Sequence, residues 1–107
     1  MNRREKIEAM LADDPGDTFL RYSMAMELRS EGEHEKSLAQ LNELISDDPP
    51  CVPAFLMAAQ QLVELDRTDA AREQLRNGIE EARAQGDSHA AGEMSELLSS
   101  LGELGEL

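Results

Sequence analysis

Two histidines, His34 and His89, one thiol, Cys51, and two copies of an Asp-Asp-Pro tripeptide, Asp13-Asp14-Pro15 and Asp47-Asp48-Pro49, are the groups that could serve catalysis or hold a metal. A zinc site needs several nitrogen or sulfur ligands at short spacings. The histidines stand 55 residues apart, with no second histidine or cysteine at ligand spacing. A calcium loop needs spaced oxygens that close on a bidentate glutamate, and neither Asp-Asp-Pro copy has that order. Gly86-Asp87-Ser88-His89 puts an acid, a hydroxyl and an imidazole side by side, but a catalytic triad depends on groups that converge in space. It reads instead as a C-cap glycine followed by N-cap residues. Neither kind of phosphate-cradling glycine loop occurs. The single cysteine excludes an intramolecular disulfide and fits a reducing compartment, where it serves as a small hydrophobe. No enzyme, metal or cofactor is expected from these residues.

The Asp-Asp-Pro copies carry a different message. They lie 34 residues apart, and the apolar residues before them recur in the same register, Ile7, Met10 and Leu11 against Leu41, Leu44 and Ile45. A third copy keeps Leu75 and Ile79 but has Gly78 at the Met10 and Leu44 place and Arg83 at the proline's. Such a period belongs to solenoids of helical hairpins, which present binding surfaces more than catalytic pockets. In the tripeptides the proline stops a helix and the acids favour the turn.

The elements that display these residues follow from composition and punctuation. The chain is 40% hydrophobic, 3% aromatic and free of tryptophan, so Leu, Ala, Met and Ile must fill its core. These residues favour helix, and no stretch alternates apolar and polar residues for long enough to suggest a strand. Breaks at Asp13–Asp17, Glu31–Glu33, Asp47–Pro50, Asp66–Asp69 and Gln85–Ser88 leave six predicted helices, near residues 3–12, 18–31, 34–47, 52–65, 68–84 and 88–101. Linkers this short make neighbouring helices antiparallel.

The formal charge is −13 and is unevenly spread, with +1 over residues 1–12, −9 over 13–66, zero over 67–86 and −5 over 87–107. That balance argues against nucleic acid or an anionic membrane as the partner and favours one with a basic flank. The charged start Met1-Asn2-Arg3-Arg4-Glu5-Lys6 does not resemble a secretory signal, and no apolar stretch approaches the ~20 residues of a membrane span. A cytoplasmic location is the expectation.

The chain resembles the tetratricopeptide repeat (TPR) family, whose repeat reads W-x-x-L-G-x-x-Y in its first helix and A-x-x-x-F in its second, with a closing proline. At those places the first full repeat has Arg21, Met24, Ala25 and Leu28, then Ser37, Leu41 and Pro49. The second has Phe55, Ala58, Ala59 and Leu62, then Ala71, Leu75 and Arg83. Arg21 departs from the family's aromatic, so Arg21→Trp would restore it unless Arg21 meets an acidic neighbour. The resemblance implies an all-α fold of antiparallel hairpins stacked as a short right-handed solenoid. It covers residues 3–101 as half a repeat, two full repeats and a C-terminal capping helix, in which Met94, Ser95 and Leu98 align with Met24, Ala25 and Leu28. Met94, Leu97, Leu98 and Leu101 are expected inside, and Glu93, Ser95, Glu96, Ser99 and Ser100 outside. Residues 1–101 are read as a single domain and 102–107 as a short frayed tail, whose three leucines at period three, Leu101, Leu104 and Leu107, are alternatively a surface for another subunit.

The resemblance further implies a concave surface made from the first helix of each repeat, used to hold a peptide or an amphipathic helix. Its places are filled here by Phe19, Tyr22, Met26, Arg29 and Ser30 in one helix and by Pro53, Leu56, Gln60, Val63 and Glu64 in the next. The lysines and asparagines with which one TPR subgroup clamps a chaperone's C-terminal carboxylate are absent from these places, where Tyr22, Ser23 and Met26 stand. The function expected is a non-catalytic adaptor or scaffold for a protein or peptide partner. The alternative is a homo-oligomerisation module, with the groove filled by its own N-terminal helix or by a second subunit of a homodimer. The register also puts Ala25 against Ser37 and Ala59 against Ala71, where small residues let two helices approach. Ala59→Leu should therefore overpack the second hairpin and cost about 1–3 kcal/mol, read as a lower melting temperature; an unchanged one would refute the register.

Overall fold

A computed structural model describes the backbone of residues 1–105 and the side chains of residues 1–102. Six helices follow one another: α1 (Arg3–Asp13), α2 (Thr18–Ser30), α3 (His34–Ile45), α4 (Val52–Glu64), α5 (Thr68–Ala84) and α6 (Ser88–Gly105). No strand occurs among the described residues. The predicted helices all form, and α6 carries helical backbone past residue 101 to Gly105, into the stretch read as a tail. Glu106 and Leu107 lie outside the described residues, as do the side chains of 103–105. Contacts gather the chain into two compact units, Met1–Cys51 with α1 to α3 and Val52–Leu107 with α4 to α6.

Side chains cap the starts of α1, α2 and α6. Asn2 Oδ1 accepts from the Glu5 amide at 2.8 Å while the Asn2 amide donates to Glu5 Oε1 at 3.3 Å, a reciprocal box at the start of α1. Asp17 accepts from the Leu20 amide at 2.8 Å, and Asp87 from the Ala90 amide at 3.1 Å. Three helix ends share one device. At the ends of α2, α4 and α5 the chain turns through a single left-handed residue, Gly32, Asp66 and Gly86, with φ of 78°, 59° and 77°. In each case the next residue's amide reaches back into the last helical turn: Glu33 to the Leu28 carbonyl, Arg67 to that of Leu62 and Asp87 to that of Ala82, at 2.7–2.8 Å. This closure satisfies carbonyls that the helix leaves unpaired. Gly32 and Asp66 are 34 residues apart, so the turn repeats with the helices even though one copy lacks glycine.

In the first unit α2 and α3 form an antiparallel hairpin around fully buried Ala25 and Ser37. The Ser37 hydroxyl donates to the Ala25 carbonyl at 2.7 Å across that crossing. Ile7 and Leu11 of α1 pack on Met24 and Leu28 of α2. Arg3 pairs with Glu27 at 2.9 Å and Arg4 with Glu31 at 2.7 Å, so the basic start of the chain holds α1 against the acidic end of α2. Such exposed pairs contribute little singly and serve mainly to orient.

The second unit repeats the hairpin with α4 and α5, where Ala59 and Ala71 are fully buried. Burial of Ala54, Phe55, Ala58, Leu62, Leu75, Ile79 and Ala82 completes its core, and α6 adds Ala91, Met94 and Leu101. Arg72, itself buried, donates to the Leu101 carbonyl at 3.0 Å and pairs with Asp69 at 2.6 Å, tying α6 to α5. Two expectations for α6 need correction. Leu97 and Leu98 are only half-buried, and Ser95, placed outside, is half-buried as well.

Gly78 shows why glycine replaces the leucine of the earlier repeat. A Cβ built there would lie 2.6 Å from Met94 Sδ and 2.6 Å from Phe55 Cβ, so α5 can meet both neighbours only without a side chain. Gly92, inside α6, has nothing within 4 Å of such a carbon. Gly78→Ala is therefore expected to destabilise by about 1–3 kcal/mol and Gly92→Ala to stabilise by about 0.5–1 kcal/mol, opposite shifts that thermal or urea unfolding of the two variants will register.

Candidate functional site

Helix α2 carries apolar residues on two sides. One stripe, Met24, Ala25 and Leu28, is buried within the first unit. On another face stand Phe19, Tyr22 and Met26, with Arg29 one turn on, at the three- and four-residue spacings that align side chains along a helix. Phe19 is 75% exposed and Met26 42% exposed; the other large apolar side chains so exposed among the described residues are Met1 and Met10. Because Ile7 and Leu11 pack on Met24 and Leu28, α1 is engaged with the buried stripe and leaves Phe19 and Met26 open.

Tyr22 is half-buried between these two. Burial lifts its phenol above its ordinary pKa, a nearby Cys51 thiol acts in the same direction, and Arg29 opposes them. The hydroxyl therefore stays protonated at neutral pH and remains a hydrogen-bond donor.

Arg21, at the family's aromatic place, does meet an acidic neighbour. Its guanidinium forks onto Asp47, Nη1 to Oδ2 at 2.7 Å and Nη2 to Oδ1 at 3.2 Å, and so joins α2 to the turn after α3. A two-pronged pair is specific in geometry as well as charge. The second Asp-Asp-Pro copy thus supplies an anchor for α2, and the Cys51 amide closes the same turn onto the Leu44 carbonyl at 3.0 Å.

In the second unit, α4 leaves Leu56 and Val63 half-buried and Gln60 exposed, again on one helix face. A separate concavity lies between α5 and α6, lined by Arg76, Ile79, Glu80, Arg83, Ser95 and Leu98. None of these was singled out as a site residue from the sequence, although the register that aligns Ser95 with Ala25 was a signal for it. His34 and His89 lie at the starts of α3 and α6, and His89 faces Glu93 at 3.2 Å on the surface. Among the described residues no helix is long and apolar enough to cross a membrane.

No family model and no curated protein matches the sequence. Solved structures do. The solution structure of a tetratricopeptide repeat domain protein from Salinibacter ruber superposes with a TM-score of 0.79 at 31% identity, over 84% of this chain and 91% of that one. The chain belongs to the tetratricopeptide repeat family. A crystal structure of a Salinibacter ruber tetratricopeptide repeat domain protein agrees, with a TM-score of 0.74 and 31% identity over 82% of this TPR chain and 98% of the other. A Bordetella parapertussis protein shares the fold, with a TM-score of 0.82 at 22% identity over 96% of this chain and 90% of its own. The all-α repeat fold and the family make this TPR protein a protein–protein interaction module in general terms.

The Arg21 fork gives the first unit a pH signature. Its hydrogen bonds chiefly, with its charge, hold the Asp47 carboxyl below the ordinary carboxylate value despite partial desolvation. A depressed folded-state pKa means stability that is present above the unfolded value and lost as pH falls through the folded one. Asp47→Asn should accordingly lower the melting temperature at neutral pH, and the gap from the natural protein should close on acidification below about pH 4; a gap independent of pH would assign the loss to something other than this ion pair.

Proposed function

We propose that this TPR protein is a non-catalytic adaptor that holds a peptide or amphipathic helix on the exposed face of α2, using Phe19, Tyr22, Met26 and Arg29, and that Leu56, Gln60 and Val63 of α4 form a like face in the second unit. The observation that carries the reading is the exposure of Phe19 and Met26 beside Tyr22, on a face of α2 that the first unit does not need for its own core. Contiguous exposed apolar surface on a soluble protein commonly marks a docking site. Methionine adapts its shape to different apolar ligands, while tyrosine adds a fixed hydrogen-bonding tip. The surrounding −9 segment favours a ligand with a basic flank, which predicts weaker binding at higher salt. A cytoplasmic setting fits the single cysteine.

Phe19→Ser/Met26→Ser removes exposed apolar surface and should leave the helices intact. Affinity capture from extract of the source cell, run with the natural protein, this variant and Leu56→Ala, is expected to recover a partner that the folded double variant loses by about tenfold or more. Retention of the same partner by the variant would refute the α2 face. A dimeric light-scattering mass that the variant reduces to a monomer would replace the adaptor by self-association.

A further inference from the structure

The open cleft between α5 and α6 occupies about 520 Å³ and combines an apolar floor with uncommitted charge. Ile79 and half-buried Leu98 form the floor, Ser95 brings a hydroxyl, and Arg76, Glu80 and Arg83 stand along its α5 side. Arg76 and Arg83 are seven residues apart, two turns on one helix face. Both are exposed, and neither has an ion-pair partner among the described residues; Glu80, though spaced to meet either, closes on neither. In a chain with 23 acids and 10 bases, two arginines flanking one apolar cleft is the reverse of what the overall charge would produce.

Register explains the apolar part. Ser95 and Leu98 hold in α6 the places that Ala25 and Leu28 hold in α2 and that Ala59 and Leu62 hold in α4. Those four are buried, and Ala25 is sealed by α3 through the Ser37 hydroxyl. Ser95 and Leu98 have no described helix packed over them and stay half-buried. The small residue at the crossing and the leucine beyond it are therefore a helix seat that no described helix fills, and the seat is edged by two cations.

We propose that this cleft is a second docking site, distinct from the α2 face, and that its occupant is an acidic amphipathic helix of a partner protein. Such a helix would lay aliphatic side chains on Ile79 and Leu98, approach closely over Ser95, and set carboxylates against Arg76 and Arg83. Charge complementarity selects this occupant. The chain's own α1, the helix that matches the second half of a repeat, carries three bases and three acids and is already held on α2 by Ile7, Leu11 and the Arg3–Glu27 and Arg4–Glu31 pairs. Glu80 works against the ligand and tempers the affinity.

The test uses the full chain and a fluorescein-labelled, helix-forming peptide with leucines at i, i+3, i+4 and i+7 and glutamates at the flanking positions. Its anisotropy titration should saturate, weaken with added salt, weaken about tenfold or more for Arg76→Glu/Arg83→Glu, and tighten for Glu80→Gln. The same peptide should bind Phe19→Ser/Met26→Ser as it binds the natural protein. Circular dichroism melts check that the variants, altered only at exposed side chains, remain folded. Absence of saturable binding up to about 1 mM, a range that covers weak interfaces, would overturn the proposal, as would equal binding by the Arg76→Glu/Arg83→Glu variant. A dimeric mass for the natural protein that this variant lowers to a monomer would seat a second copy of the chain in the cleft and would also overturn it.

Discussion

Everything in this protein depends on helices meeting where their side chains nearly vanish. Ala25 meets Ser37 in the first hairpin, Ala59 and Ala71 are fully buried in the second, and Gly78 admits Phe55 and Met94 where a single added carbon would collide. Close approach lets the larger side chains on either flank of a crossing fill one another's gaps. A core with no tryptophan and little other aromatic volume has few alternatives. Ser37 adds a direction to the contact, because its hydroxyl donates to the Ala25 carbonyl across the crossing. The left-handed turns at Gly32, Asp66 and Gly86 then return the chain in a like geometry after α2, α4 and α5.

That economy leaves much of each helix unspent. When a helix secures its place through one stripe of small and medium residues, its other faces need only be compatible with water, and a large apolar side chain there calls for an explanation. Phe19 and Met26 are such side chains in the first unit, and in the second half-buried Leu98 borders the α5–α6 cleft beside the buried Ile79. The electrostatics differ between the two: acids dominate the sequence around α2, whereas two arginines without an ion pair among the described residues border the α5–α6 cleft. A chain that is strongly acidic as a whole can in this way present surfaces of opposite local preference.

The hairpins were legible in the sequence because their determinants are periodic and local. The 34-residue recurrence of Asp-Asp-Pro, the small residues at Ala25, Ser37, Ala59 and Ala71, and the turn chemistry all announce themselves without knowledge of distant contacts. Family membership rests on the solved structures matched at 31% identity. Side-chain partnerships were less legible. That Arg21 forks onto Asp47, or that Arg3 and Arg4 reach Glu27 and Glu31, depends on three-dimensional neighbours 24 to 27 residues away in sequence, and a charged side chain gives no sign of which acid it will meet. For the candidate site, the family resemblance named the residues on α2 but could not give their exposure. Ser95 was misplaced because serine on a helix next to glutamate reads as solvent-facing, when its place in the repeat is a helix crossing.

The exposed face of α2 is the central functional claim, and chemical-shift mapping tests it most directly. With a partner recovered by the natural protein added to isotope-labelled full chain, the largest perturbations should fall on Phe19, Tyr22, Met26 and Arg29, while amides of α3, buried behind the hairpin crossing, stay unmoved. Perturbations confined to other helices, with the α2 face unchanged at saturation, would contradict it.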